Sequence, residues 1–130
     1  MNKDTTSEYY YFISNGESAG MEWLKTHTTS SDVILTNWFM GNLIPGRTGR
    51  KVYIGQKAQT MNFDAKVDAI NHFLLDENVF TGKKFLQDNG ITYIYLGAYD
   101  SILQYGFKPD KRPYLEKVYD NDHVLIYKVK

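Results

Sequence analysis

Residues 32–55, which read DVILTNWFMGNLIPGRTGRKVYIG, determine the predicted fold. Residues 33–36 form a short apolar, β-branched run, and residues 51–54 form a second one that ends at Gly55. Each run predicts a short buried strand. Open α/β sheets form a crevice beyond the carboxyl ends of such strands. The sequence therefore predicts two strands and a crevice shaped by the Gly- and Pro-containing connection between them.

The composition is that of one folded domain. The chain has 130 residues, of which 42% are hydrophobic and 23% charged, and a domain of this length can bury a full core. Fifteen basic residues balance fifteen acidic ones, so the chain lacks the net positive charge that is typical of proteins that bind nucleic acid. The absence of cysteine excludes a disulfide framework and thiolate metal ligands. No apolar run approaches the roughly 20 residues that span a bilayer.

Three helices are predicted outside the connection. Ser14 and Glu17 stand at the spacing of a capping box and open a helix that ends near residues 27–29. A last helix is predicted over residues 83–88, opened by Thr-Gly and ended by Asn-Gly. The clearest of the three lies between these two, because apolar residues recur at helical spacing. Its stripe consists of Phe63, Val67, Ile70 and Leu74.

The strongest strand signal lies at residues 91–96, where nearly every position is apolar or aromatic. That pattern is typical of a strand buried on both faces at the centre of a sheet. Residues 115–119 and 124–129 flank a polar turn and predict a C-terminal hairpin. The predicted fold is α/β: a mostly parallel open sheet flanked by helices, with this hairpin as an antiparallel edge. It forms a single domain over residues 9–130, and residues 1–8 are predicted to be a disordered or added tail.

The connection contains the candidate binding residues. Pro45 limits any helix within it to about two turns. Guanidinium groups beside an aromatic ring suit the recognition of phosphate or sugar, and function concentrates at the carboxyl ends of strands. The alternative is that Arg47 and Arg50 bind loop carbonyls and that Trp38 lies in the core. The candidate substrate-binding residues are Asn37, Trp38, Gly41, Asn42, Arg47 and Arg50.

Other patterns do not support a site. Residues 41–48 fit the phosphate-loop spacing with arginine in place of lysine, but a strand follows too soon for the required helix and Pro45 removes an amide. Asp64, Asp68 and His72 share one helix face and could hold a cation, yet a hydrated polar face explains them. No Ser-His-Asp arrangement or nucleophile elbow is present. The sequence therefore predicts no catalytic residue, no metal ligand and no cofactor.

Several segments in a fixed order resemble one family. They are similar to the C-terminal extracytoplasmic domain of polytopic membrane glycosyltransferases of the GT-C superfamily, which include protein mannosyltransferases and the catalytic subunit of oligosaccharyltransferase. The resemblance covers nearly the whole chain. The segments read EWLK at 22–25, DVIL at 32–35, GNLIP at 41–45, TGRKVYIG at 48–55, GITYIYLG at 90–97, LEKVY at 115–119 and VLIY at 124–127.

The resemblance implies a location and a role. In the family the parent enzyme uses a lipid-phosphate-linked sugar, membrane spans precede this domain, and the domain lies on the extracytoplasmic face. The catalytic acidic residues and the lipid-phosphate contacts lie between the membrane helices, so this domain is expected to be accessory or acceptor-binding and inert alone. The expected partners are the membrane-spanning part of the same parent chain and a glycan or acceptor peptide, but no nucleic acid.

One family motif is only partly present. In oligosaccharyltransferases a Trp-Trp-Asp-Tyr-Gly motif follows the first strand and helps to bind the acceptor, whereas residues 37–41 here read NWFMG. The resemblance therefore implies another acceptor, or a domain that only packs and gates. Two other functions are open. One is a free-standing domain that binds a nucleotide or sugar phosphate in the same crevice. The other is an interaction module whose face is the tyrosine-rich loop 99–114, with Tyr105 and Phe107.

Overall fold

The computed structural model describes residues 15–36, 38–55, 61–97 and 107–130. Helices and strands alternate along the first half of the chain, and the second half ends in a hairpin. In chain order the elements are α1 (Asn15–His27), β1 (Val33–Leu35), α2 (Trp38–Thr48), β2 (Lys51–Val52), α3 (Phe63–Leu75), α4 (Val79–Asp88), β3 (Tyr93–Gly97), a 3₁₀ helix (Pro109–Lys111), β4 (Leu115–Asp120) and β5 (Val124–Val129).

The five strands form one sheet in the order β2-β1-β3-β5-β4. β1 pairs in parallel with β2 and with β3, and β5 pairs antiparallel with β3 and with β4. The parallel core and the antiparallel C-terminal hairpin confirm the predicted fold class. β3 lies at the centre, as its apolar sequence predicted.

Both faces of the sheet are covered by helices. Successive side chains of a strand point to opposite faces, and β3 supplies both. Tyr93 and Tyr95 pack with Met21 and Leu24 of α1 and with Ile44 of α2. On the other face, the β3 residues Ile94 and Leu96 share a cluster with side chains of α3 and α4, namely Ile70, Phe73 and Leu86. The sheet is therefore the middle layer of three.

Helix α2 is longer than predicted. The sequence limited it to about two turns before Pro45, but it runs through this residue to Thr48. Proline lacks the amide that would bond to the carbonyl of Gly41, and that carbonyl instead faces Gly55, where a Cβ would lie 3.0 Å from its oxygen. The last turn closes because the Gly49 amide donates to the Pro45 carbonyl at 2.9 Å.

The other helices agree with the sequence more closely. α1 ends at His27 and α3 carries the predicted apolar stripe. α4 begins four residues earlier than predicted, because the side chain of Asn78 accepts from the Thr81 amide at 3.0 Å and caps the helix. Its predicted end is confirmed, with Gly90 at a φ of 68° beyond it. Ser14, the first residue of the predicted capping box, lies outside the described residues.

Tyr127 joins β5 to the 3₁₀ helix. Its hydroxyl donates to Oδ1 of Asp110 at 2.7 Å. Burial, followed by this hydrogen bond, raises the pKa of Tyr127 well above its ordinary value. Burial also raises the pKa of Tyr53 and of Tyr93. The folded state therefore retains these protons at a pH where the unfolded chain has lost them.

We predict that the chain loses stability as the pH rises above about 10, where tyrosine ionises in an unfolded chain. The unfolded state then binds fewer protons than the folded state, so the free energy of unfolding falls with pH. Tyr127→Phe should make this fall less steep, at a cost of about 1 kcal/mol at neutral pH from the lost hydrogen bond. Urea unfolding from neutral pH to about pH 11 measures both. Equal slopes in the two proteins would contradict the assignment to Tyr127.

Candidate functional site

The carboxyl ends of β1, β2 and β3 lie along one edge of the sheet because these strands are parallel. We call this the carboxyl edge. α2 begins here, at Trp38, directly after β1. Asn37 lies outside the described residues, and so do the side chains of Trp38 and Asn42, although both belong to α2. The part of the predicted crevice formed by these residues therefore stays a prediction.

The structure does not bring the six candidate residues together. α2 leads from the end of β1 to the start of the parallel strand β2, so its two ends lie at opposite edges of the sheet. Trp38 lies in the first turn and Arg47 in the last, roughly 13 Å apart along the helix axis. Arg50 lies just before β2, at the amino edge. The prediction that both arginines cluster beside Trp38 is therefore wrong, since the length of α2 separates them, with Asn42 in the middle of the helix.

Arg50 binds the end of α1. Its Nε donates to the hydroxyl of Thr28 at 2.8 Å, and its Nη2 donates to the carbonyls of Lys25 and Thr28, also at 2.8 Å. The last carbonyls of a helix have no partner within it, so a guanidinium group there acts as a cap. This is the alternative that the sequence left open for Arg50. Arg47, by contrast, is exposed.

Gly41 has a packing role. It is buried in α2, and a Cβ placed on it would lie 2.0 Å from the carbonyl oxygen of Ile54. Only glycine lets the helix approach the backbone beyond β2 this closely. The match of Gly41 to the family motif is therefore explained by helix packing without any contact to a ligand.

Thr36 was missed as a candidate because the sequence assigned it to a buried strand. It follows β1 at the carboxyl edge and is 3% exposed. Its hydroxyl has no hydrogen-bond partner among the described residues. A small apolar pocket beside it is lined by Leu35, Ile70 and Phe107, among others. Buried hydroxyl groups are nearly always paired, which makes Thr36 a further candidate residue at the carboxyl edge.

The structure gives a simple explanation for the two patterns that the sequence analysis did not accept as binding sites, the acidic and histidine residues of α3 and the phosphate-loop spacing. Asp64, Asp68 and His72 are exposed on α3, as a polar face requires. Within the described ranges, no group of three His, Cys, Asp or Glu residues could hold a metal ion. Residues 41–48 are helical throughout, so the phosphate-loop spacing does not form a loop.

Of the tyrosine-rich loop 99–114, the structure describes only residues 107–114. Phe107 is 4% exposed and Tyr114 is 3% exposed, whereas Tyr105 lies outside the described residues. The interaction face that the sequence allowed therefore cannot include Phe107 or Tyr114, because both side chains belong to the core.

Comparison with known proteins gives a likeness of fold. No family model matches the sequence, and no curated relative matches it. The C-terminal globular domain of an oligosaccharyltransferase from Archaeoglobus fulgidus superposes with a TM-score of 0.70 at 14% identity, over 92% of this chain and 100% of that chain. The fold of this chain thus resembles the C-terminal globular domain of an oligosaccharyltransferase. In the part of the chain that the structure describes, none of the helices is long and apolar enough to cross a membrane.

We predict that Gly41→Ala lowers the free energy of unfolding by about 1–3 kcal/mol, because the added methyl group overlaps a backbone oxygen. Gly46→Ala is the matched control, since it lies in the same helix and nothing is within 4 Å of its Cβ. That change should be neutral or stabilise by about 0.5–1 kcal/mol through helix propensity. Urea unfolding compares the two variants, and similar stabilities would contradict the packing role.

We predict that Arg50→Ala destabilises the fold by about 1–2 kcal/mol, because three charge-assisted hydrogen bonds to the end of α1 are lost. Arg50→Lys keeps the charge but not the planar fork, so it should recover only part of the loss. Arg47→Ala, an exposed control, should change stability by less than about 0.5 kcal/mol. Equal effects at the two arginines would show that Arg50 is not a cap.

Proposed function

We propose that this chain is the extracytoplasmic domain of a membrane glycosyltransferase that uses a lipid-phosphate-linked sugar. In this role it is an accessory or acceptor-binding domain and does not catalyse transfer alone. The observation that carries the proposal is the common fold with the C-terminal globular domain of an oligosaccharyltransferase, which spans 92% of this chain and all of that domain. The order of the sequence segments from residue 22 to residue 127 supports the same conclusion.

The carboxyl edge is the surface that we assign to the acceptor. Its candidate residues are Asn37, Trp38 and Asn42, with Gly41 holding α2 in place. The hydroxyl of Thr36 supports this choice, because it has no partner among the described residues and a buried polar group gains from one. Arg47 and Arg50 are not part of this surface, since α2 carries them to the opposite edge of the sheet.

The proposed partners are the membrane-spanning part of the same parent chain and a glycan or acceptor peptide. Tryptophan and asparagine side chains suit such ligands, because an indole ring packs on sugar or aliphatic groups and an amide both donates and accepts hydrogen bonds. A nucleotide is a poorer fit. The only phosphate-loop spacing in the sequence is taken up by α2 and leaves no loop of amides around a phosphate.

We predict that acceptor peptides containing Ser, Thr or Asn, or short oligosaccharides, shift the amide resonances of residues around Thr36 and of the first turn of α2 in titrations of the chain. Trp38→Ala and Asn42→Ala should each weaken this binding by about tenfold, the loss expected for one good contact. Arg47→Ala is the control at the other end of α2 and should leave binding unchanged. Circular dichroism checks that each variant is folded.

Two results would contradict the proposal. One is stabilisation by a nucleotide in the same panel, which should reach about 2.7 kcal/mol at a hundredfold excess over the dissociation constant. It would favour the free-standing nucleotide-binding domain. The other is a natural reading frame for this chain that encodes no hydrophobic spans of roughly 20 residues, since the parent enzyme requires them.

A further inference from the structure

A cavity of about 290 Å³ opens beside the end of α3. It adjoins the apolar pocket at the carboxyl edge, since Leu74 lines both, but its lining includes none of the residues assigned to the acceptor. Three cationic side chains and one carboxylate line it, together with aliphatic groups and a tyrosine. Its lining residues are Leu74, Glu77, Val79, Lys108, Lys111, Arg112 and Tyr114.

Arg112 is buried and held rigidly at this cavity, with 8% of its surface exposed. Its Nη1 donates to the Phe73 carbonyl at 3.0 Å and to the Tyr114 hydroxyl at 2.9 Å, and its Nη2 donates to the Leu74 carbonyl at 2.9 Å. The guanidinium carbon lies 4.9 Å from the ring centre of Phe73 and 4.7 Å from that of Phe107. The group is therefore fixed in orientation before any ligand arrives.

The hydrogen bonds of Arg112 leave donors to spare. Within the described ranges, its Nε–H and one Nη2–H have no acceptor and no carboxylate lies within ion-pair distance. Asp76 is nearby, but its oxygens accept from the Thr81 hydroxyl and the Asn78 amide. Those hydrogen bonds hold the pKa of Asp76 below its usual value, with smaller contributions from His72 and Arg112. Asp76 and Glu77 offset the charge only in part, because three cationic side chains line the cavity, so an anion in the cavity is favoured.

We propose that this cavity binds a phosphate group. Donors on adjacent guanidinium nitrogens form a fork that matches two phosphate oxygens, and lysine ammonium groups complete the site as point charges. The lining has a surplus of positive charge, because it contains three cations, Lys108, Lys111 and Arg112, and one carboxylate, Glu77. This surplus suits a dianionic phosphate better than a carboxylate. The site does not depend on the glycosyltransferase relation proposed above.

Exposed apolar residues that adjoin the lining in sequence favour a phosphate that carries an apolar group. Leu75 and Phe80 are 78% and 75% exposed, and each follows a residue of the lining, Leu74 or Val79. Large apolar side chains this exposed mark an interaction surface when they lie together. Apolar residues beside basic ones are also typical of contact with a phospholipid surface. The phosphate group therefore comes from a lipid headgroup or from a soluble phosphate ester with an apolar part.

The test is a titration of the 130-residue chain with inorganic phosphate, followed by the amide resonances of residues 108–114. We expect saturable shifts at these residues. Lys108→Gln with Lys111→Gln should weaken binding at least about tenfold, because two charge-assisted contacts are lost. Lys25→Gln with Lys51→Gln removes the same charge from exposed positions elsewhere and should change affinity less than twofold. No saturation, or equal weakening in the two double variants, would overturn the site.

Vesicles identify the source of the phosphate. The chain is sedimented with phosphatidylcholine vesicles that contain phosphatidic acid, and with phosphatidylcholine alone. If the source is a lipid, the acidic vesicles bind the chain. This binding should then be lost in two double variants, one with Lys108→Gln and Lys111→Gln and the other with Leu75→Ser and Phe80→Ser. If the source is soluble, inorganic phosphate binds and neither vesicle does. Vesicle binding that survives the lysine changes would overturn the role of the cavity. These outcomes do not involve Trp38 or Asn42, so they leave the acceptor-binding test independent.

Discussion

The burial of β3 on both faces is the constraint on which the rest of the structure depends. Its four residues from Tyr93 to Leu96 are at most 8% exposed, so each face of the sheet must be covered by helices. Helices α1 and α2 cover one face, and helices α3 and α4 cover the other. Because β1, β2 and β3 are parallel, every connection between them crosses from one edge of the sheet to the other. The carboxyl edge is a direct consequence.

The parts of the fold that could be predicted from the sequence are those encoded by local periodicity. The continuous apolar run at β3, the stripe of α3 and the polar turn of the C-terminal hairpin each identify an element without reference to the rest of the chain. Their class and order were then enough to predict the layered α/β fold. The end of α4 was also predictable, because the Asn-Gly signal acts within a few residues.

What could not be predicted depends on contacts between distant residues. α2 continues past Pro45 while the carbonyl of Gly41, freed from its helical partner, faces Gly55, and no local pattern encodes this approach. The candidate site was only partly predicted for the same reason. Grouping Arg50 with Trp38 assumed a compact connection, and the three turns of α2 separate them. Arg112 and Thr36 carry no motif, and their environment comes entirely from tertiary packing.

The last turn of α3 links the two surfaces to which we assign ligands. Its carbonyls at Phe73 and Leu74 accept from Arg112 in the cationic cavity, and side chains of the same turn line the apolar pocket beside Thr36. The final carbonyls of a helix need partners from outside it, and here a buried guanidinium supplies them. The cation that fixes this wall of the carboxyl edge is thus the same one that we propose as a phosphate ligand, through donors that have no acceptor among the described residues. Since cores resist deformation, the last turn of α3 sets the orientation in which Arg112 would meet a ligand.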